Sequence, residues 1–126
     1  MHLIIAYIRP ERLYDVKTNL IKAEIFKISV SNALGHGDEQ SYRETYRGAE
    51  VEIDLHKRVR LEVAVNEPYI EKTVNAIIEG ARSPSDSSQP DDESGGGAVG
   101  DGKIFIIKLD DVVRIRNGER GDAAIG

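Results

Sequence analysis

Cysteine is absent from the 126-residue sequence, which excludes disulfides and thiolate metal sites. No apolar run approaches the roughly 18 residues that a membrane-spanning helix needs. An excess of positive charge is missing too: 17 Lys and Arg stand against 22 Asp and Glu, a formal net charge of −5. Phosphate backbones reward clustered Lys and Arg, so this balance argues against nucleic acid as a partner. The opening MHLIIAYIRPE carries no positive leader and reads as a first strand rather than a signal peptide. A soluble cytoplasmic protein is expected. His2, His36 and His56 are scattered without metal-site spacing, and no Ser-His-Asp grouping is readable. Hydrophobic residues make up 40% of the chain, enough for one core with little left for a second, so a single domain over 1–126 is expected.

What is there alternates between two periodicities. LIIAYIR (3–9) is a nearly continuous apolar run ending at Pro10 and reads as a buried strand. From Pro10 to Ala23, Leu13, Val16, Leu20 and Ile21 recur at helical spacing, with Pro10 and Glu11 suited to the first turn. IFKISVSNAL (25–34) alternates as a strand with Phe26, Ile28 and Val30 on its apolar face, and Gly35-His36-Gly37 ends it. A long polar stretch reaches Asp54, after which RVRLEVAV (58–65) alternates as another strand. A loop of that length in a small domain points to function. Residues 67–81 read as a second helix, with Ile70, Val74, Ile77 and Ile78 on one face. SPSDSSQPDDESGGG (83–97) lacks large apolar residues and is expected to be disordered. KIFIIKL (103–109) reads as a strand, and DVVRIRNGERG (111–121) as a strand, a turn and a short strand. The order β-α-β-β-α-β is that of an α+β, ferredoxin-like sandwich. Two helices cover one face of its sheet; the other face keeps apolar side chains, so self-association is expected.

GAVGDGK (97–103) satisfies the G-x-x-x-x-G-K spacing of a phosphate-binding P-loop, but Ile104 stands where a metal-holding Ser or Thr belongs. A P-loop also needs a strand before the glycines and a helix after them, the reverse of the order here. A weaker possibility survives. Gly100-Asp101-Gly102 is a turn whose N–H groups can converge on an anion, and Lys103 adds a point charge. Arg114 and Arg116, two apart in the expected strand, would project from one face with forks that match phosphate oxygens. By themselves these residues also fit a glycine hairpin beside a solvated charge stripe; their combination favours phosphate.

At these residues the sequence resembles the PII signal-transduction family. YRGAE (46–50) resembles the family's T-loop signature, GDGKIF (100–105) the signature closing its B-loop, and RIRNGERGDAAI (114–125) its C-terminal pattern. IIAYIRPERLYDV (4–16) resembles its first strand and helix. The resemblance implies a ferredoxin-like homotrimer that binds adenine nucleotides (ATP, ADP or AMP) between subunits and is a sensor rather than an enzyme. It implies a T-loop at 36–54, a flexible B-loop insertion at 83–99 and a C-terminal loop at 117–126. On matching positions, Gly100, Asp101, Gly102, Lys103, Arg114 and Arg116 would surround the phosphates. Ser29, Gly35, Gly37, Glu62 and Ala64 would surround the adenosine, with Tyr7 in the same pocket where the family usually has an aliphatic residue. Tyr46, Arg47 and Glu50 would meet a target protein, a transporter or an enzyme.

Departures from the family pattern bear on the second ligand. Gly35-His36-Gly37-Asp38-Glu39-Gln40-Ser41 replaces G-F-G-R-Q-K-G. Glu39 occupies the position of the glutamine that many members use to hold magnesium between ATP and 2-oxoglutarate. Glu39 could ligate magnesium through oxygen, but with Asp38 it brings two negative charges to a dianion's place. Each like-charge contact at about 4 Å costs about 4 kcal/mol at an effective dielectric of about 20. Arg58 stands where a lysine pairs with the oxoacid and could still hold a small anion. A 2-oxoglutarate response is therefore not expected; ADP or AMP with another small anion such as bicarbonate is the alternative. Val51 and Ala49 replace the modified tyrosine and serine of other members, so covalent marking of the T-loop tip is not expected. A small phosphoryl-handling enzyme and a scaffold without ligands are the remaining readings.

Overall fold

The computed structural model describes residues 1–36, 55–84 and 97–126 in full, and residues 42–46 and 49–53 by their backbone. Gly37, Glu39 and Arg47, and most of the segment expected to be disordered (85–96), lie outside the described residues, as do the side chains of Tyr46 and Glu50.

Strand β1 (His2–Ile8) leads through a 3-10 turn at Pro10–Arg12 into helix α1 (Leu13–Lys22). Strand β2 (Ser29–Gly35) follows, then the short strands β3 (Tyr42–Tyr46) and β4 (Ala49–Ile53), then the long strand β5 (His56–Val65). A second 3-10 turn at Glu67–Tyr69 opens helix α2 (Ile70–Ala81); strand β6 (Gly102–Lys108) and a short helix α3 (Asp122–Ile125) complete the elements. Strands β2, β5, β1 and β6 lie in that order in one antiparallel sheet, and β3 and β4 pair only with each other. This is a ferredoxin-like βαββαβ sheet with a hairpin inserted between its second and third strands.

The alternation in β5 puts Val59, Leu61, Val63 and Val65 on the helical side, where they meet Ile4, Ala6 and Ile8 of β1. Val16 and Leu20 of α1 and Ala76, Ile77 and Ala81 of α2 close over them. The two helices touch where Gly80 lies: a Cβ built there would stand 2.7 Å from the Val16 Cα and 2.8 Å from its nitrogen. Buried Thr73 is satisfied by donating to the Tyr69 carbonyl at 2.7 Å.

Residues of opposite parity line the open side of the sheet: Leu3, Ile5 and Tyr7 on β1, Arg58, Arg60, Glu62 and Ala64 on β5, Lys103, Phe105 and Ile107 on β6. The apolar character expected of this face is present. Phe105 and Ile107 are exposed, and Ile5 is buried.

Four sequence expectations change. The strand expected from Ile25 begins at Ser29, because residues 23–25 are used to stop α1. The Glu24 N–H donates to the Ile21 carbonyl and the Ile25 N–H to the Leu20 carbonyl, with Glu24 at φ 64°. That is a Schellman ending without its usual glycine, and it seats Ile25 against Leu20 in the core. Of the face expected to be buried, Ile28 packs against the core, Phe26 precedes the strand and is exposed, and Val30 is exposed because β2 is a sheet edge. Finally, the pair of strands expected at 111–121 is reduced to one bridge between Val113 and Arg120, with a turn at 115–117. Asp111 takes over the role of a ladder, accepting from the Val112 and Gly121 N–H groups and from Arg120 Nη1. The C-terminal stretch expected as loop includes α3.

Candidate functional site

The glycine turn is built by backbone conformations that side chains resist. Gly97, Gly100 and Gly102 have φ of 102°, 92° and 120°. At Gly102 a Cβ would overlap the Tyr7 carbonyl oxygen at 1.8 Å, so glycine is the residue that lets β6 start beside β1. The Asp101 N–H donates to the Ala98 carbonyl at 3.2 Å and closes the turn.

The Asp101 side chain points inward. Oδ1 accepts from Ser83 Oγ at 2.6 Å; Oδ2 accepts from the Ser83 N–H at 3.0 Å and the Ala98 N–H at 2.7 Å. Arg9 Nε lies 3.5 Å from Oδ1, and Arg9 Nη2 donates to the Val99 carbonyl at 2.7 Å. Partial burial pushes the Asp101 carboxyl up, but the Ser83 hydroxyl, the Ala98 and Ser83 amides and the Arg9 charge outweigh it and hold the group below its ordinary value.

Strand register gathers several of the other expected residues. Tyr7 stands opposite both Arg60 and Lys103, and its ring meets Phe105 edge to face with centroids 6.1 Å apart. One step along, Glu62 stands opposite Ser29 and Ile5, and Ala64 opposite Leu3. Tyr7, Lys103, Ser29, Glu62 and Ala64 thus share the open face. Gly35 does not join them: it pairs with His56 at the far end of β2, six positions from Ser29, about 20 Å at the rise of a strand. A Cβ on Gly35 would stand 3.3 Å from Arg58 Cγ, so this glycine and Arg58 are neighbours. Arg58 Nη1 donates to the Lys57 carbonyl at 2.9 Å.

The two arginines of the C-terminal segment have different fates. Arg114 Nη1 donates to Glu119 Oε2 at 2.6 Å, and Nη2 donates to the Ala123 and Gly126 carbonyls, each at 2.7 Å. Lys27 Nζ donates to the same Gly126 oxygen. Arg114 is therefore tied to α3, and none of these bonds reaches the glycine turn. Arg116 lies in the 115–117 turn, exposed, with no hydrogen-bond or ion-pair partner among the described residues. The expected shared strand face for the pair is absent, because no strand carries them.

Three residues were not expected at the site. Arg9 and Ser83 both serve Asp101, from sequence positions too distant to suggest it. Arg60 forms an ion pair with Glu62 at 2.6 Å; their i, i+2 spacing in an alternating strand was a usable signal. Among the described residues no cluster of three His, Asp or Glu side chains could hold a metal ion, and no helix is long and apolar enough to cross a membrane.

A family model described as nitrogen regulatory protein P-II matches residues 1–119. The chain belongs to the P-II family. It is 42% identical over 125 residues to nitrogen regulatory protein GlnK1 of Methanosarcina mazei, covering 99% of this chain and 97% of that one. It is 43% identical to nitrogen regulatory protein P-II 1 of Methanothermobacter thermautotrophicus, with the same coverage. The P-II protein of Azospirillum brasilense is 37% identical over 99% of this chain and all of its own length. P-II proteins are regulatory signalling proteins and not enzymes, which sets aside the phosphoryl-handling alternative. As a family they bind adenine nucleotides as effectors, form homotrimers and act on target proteins such as transporters and enzymes.

Proposed function

We propose that this P-II chain binds an adenine nucleotide, ATP, ADP or AMP, in a cleft between subunits of a homotrimer and signals through a T-loop at 36–54. The observation that carries the reading is the glycine turn at 100–102. Its backbone is held open by positive φ angles that exclude side chains, and Lys103 stands next to it on the exposed face. Amide groups and a fixed cation in that arrangement suit a polyphosphate. Arg116 is the cation that the C-terminal segment leaves free among the described residues; Arg114 would have to exchange its carbonyl partners for phosphate oxygens. Exposed Phe105 and Ile107 favour subunits meeting through the open sheet face, and that packing would bring one subunit's Arg116 toward another's glycine turn.

Ser29, Glu62, Ala64 and Tyr7 offer a mixed polar and apolar wall for the base, with Gly35 and Gly37 at the root of the T-loop. Ligands shift the T-loop only as far as their affinities differ between its conformations; Tyr46, Arg47 and Glu50 would then meet the target protein. A second reading concerns the companion ligand. Asp38 and Glu39 disfavour magnesium-linked 2-oxoglutarate, whereas Arg58 beside Gly35 suits a smaller anion such as bicarbonate, with ADP or AMP preferred. Calorimetric titration with ATP, ADP and AMP, each with and without 2-oxoglutarate or bicarbonate, tests both readings. Absence of any nucleotide binding overturns the first. A 2-oxoglutarate effect on nucleotide affinity overturns the second.

A further inference from the structure

An anionic side chain inside a phosphate cradle is a puzzle. Asp101 sits between the two glycines whose amides would face a polyphosphate, where a free carboxylate would repel the ligand. The structure removes the difficulty by turning that carboxylate away and saturating it. Three donors from two separate chain segments converge on its oxygens, and a guanidinium lies beside it.

The two segments are the two ends of one excursion. Ser83 immediately precedes the inserted residues 84–97, and Ala98 immediately follows them. Both N–H groups donate to the same oxygen, Asp101 Oδ2. Arg9, at the end of β1, reaches Asp101 with Nε and the Val99 carbonyl with Nη2, so the neck is anchored to the central sheet. Gly97 fits this arrangement: at φ 102° its missing Cβ would stand 3.0 Å from Asp101 Oδ2.

We infer that Asp101 is a positioning residue: its carboxylate closes the neck of the 84–97 insertion through Ser83, Ala98 and Arg9, and so fixes the glycine turn that receives phosphate, without touching the ligand. This rests on the nucleotide reading above. It also explains how a polar, acidic insertion can stand beside an anion site. The two ends of the loop meet at this carboxylate, and closure cost rises only slowly with loop length.

Four full-length variants test it: Asp101→Asn, Ser83→Ala, Ser83→Thr, and a chain with 85–96 exchanged for a short Gly-Ser linker. Asp101→Asn can keep one oxygen on the two amides, but it puts an NH2 donor where Oδ1 accepts from the Ser83 hydroxyl and loses the charge facing Arg9; ATP affinity should fall about tenfold, with helical circular dichroism intact. Ser83→Ala should lose affinity in the same direction, and Ser83→Thr, which keeps the hydroxyl, should retain it. The linker exchange should leave affinity within about twofold of wild type. In ligand-free protein, the Ala98 amide should be protected from hydrogen exchange in wild type and exchange faster in Asp101→Asn, where the neutral oxygen is the weaker acceptor.

Wild-type affinity in both Asp101→Asn and Ser83→Ala overturns the inference while leaving nucleotide binding standing. So does an Ala98 amide that exchanges freely in the wild type. A wild type that binds no adenine nucleotide overturns the nucleotide reading, and with it the link to phosphate; protection at Ala98 then still reports whether Asp101 closes the neck. Should Asp101→Asn fail to fold, the Ser83 pair and the exchange measurement decide.

Discussion

Replacing Gly102 by alanine probes the point where the candidate phosphate cradle and the central sheet share one backbone. Gly102 is the first residue of β6, opposite Ile8 in the ladder, with φ 120°. An L residue in a positive-φ well costs about 1–2 kcal/mol. A steric cost adds to it. A Cβ 1.8 Å from the Tyr7 carbonyl oxygen must withdraw by more than 1 Å, and neither the oxygen nor the Cβ sits on a flexible side chain. Parting β6 from β1 by that distance gives up one or two ladder hydrogen bonds, each worth about 1 kcal/mol. Together the loss is about 2–4 kcal/mol, a large share of the 5–15 kcal/mol typical of a domain. Gly118→Ala is the matched control: its φ is 71° but nothing lies within 4 Å of its Cβ, so only the conformational term applies. Urea unfolding of both variants measures the difference. A loss at Gly102 equal to that at Gly118 would refute the steric argument, and with it the claim that the turn's geometry is imposed by the β1–β6 contact.

Gly80→Ala should destabilise by about 2 kcal/mol in urea although alanine is the better helix former, because its Cβ would press into the Val16 backbone; a gain in stability would show that the helices can part freely. Arg116→Ala should weaken ATP binding by about tenfold in calorimetry while the oligomer persists in light scattering; unchanged affinity counts against the assigned cleft. Asp101 should shape the acid limb of stability. Its folded carboxyl titrates below the ordinary 3.8, so its contribution is full above that value and is lost as pH falls through the folded one. Melting temperature followed downward from pH 5 should therefore drop less steeply in Asp101→Asn than in wild type; parallel profiles would contradict the sign.

Elements whose partners are local or periodic could be read in advance. The alternation of Val59, Leu61, Val63 and Val65 announced a strand with one buried face, and the helical stripes of 10–23 and 67–81 match the two helices that cover it. Misreadings occurred where an apolar residue served a neighbouring element. Ile25 belongs to the ending of α1, and only the left-handed Glu24, which no glycine advertises, marks the change. Val30 alternates as a buried strand residue would, but nothing in alternation says which strand ends at a sheet edge. The β3–β4 hairpin was hidden because its strand formers, Tyr42, Thr45, Tyr46, Val51 and Ile53, are diluted by charges. In the candidate site, the glycines and Lys103 were legible from spacing. The commitment of Arg114 to α3 and of Asp101 to Ser83 was not, since both depend on contacts between segments that sequence order keeps apart.

That division has a consequence for how this chain can differ in response from other P-II proteins. Ser29, Glu62, Tyr7, Gly102 and Lys103 all sit on ladder positions, where a one-residue slip would send every side chain of the strand to the other face. Their placement is therefore coupled to the stability of the whole sheet. Among the described residues the hairpin of β3 and β4 pairs only with itself, and the segment 84–97 is flanked by Ser83 and Ala98, which meet at one carboxylate. Substitutions at Asp38 and Glu39, which precede the hairpin in sequence, change charge without changing the register of any strand in the four-stranded sheet. The proposed nucleotide wall can thus be kept while the proposed companion ligand and target protein change. If exchanging Asp38 and Glu39 for Arg and Gln leaves ATP affinity within about threefold but confers a 2-oxoglutarate effect, that separation holds. If the exchange abolishes ATP binding, the T-loop base and the nucleotide wall are one unit, and the separation fails.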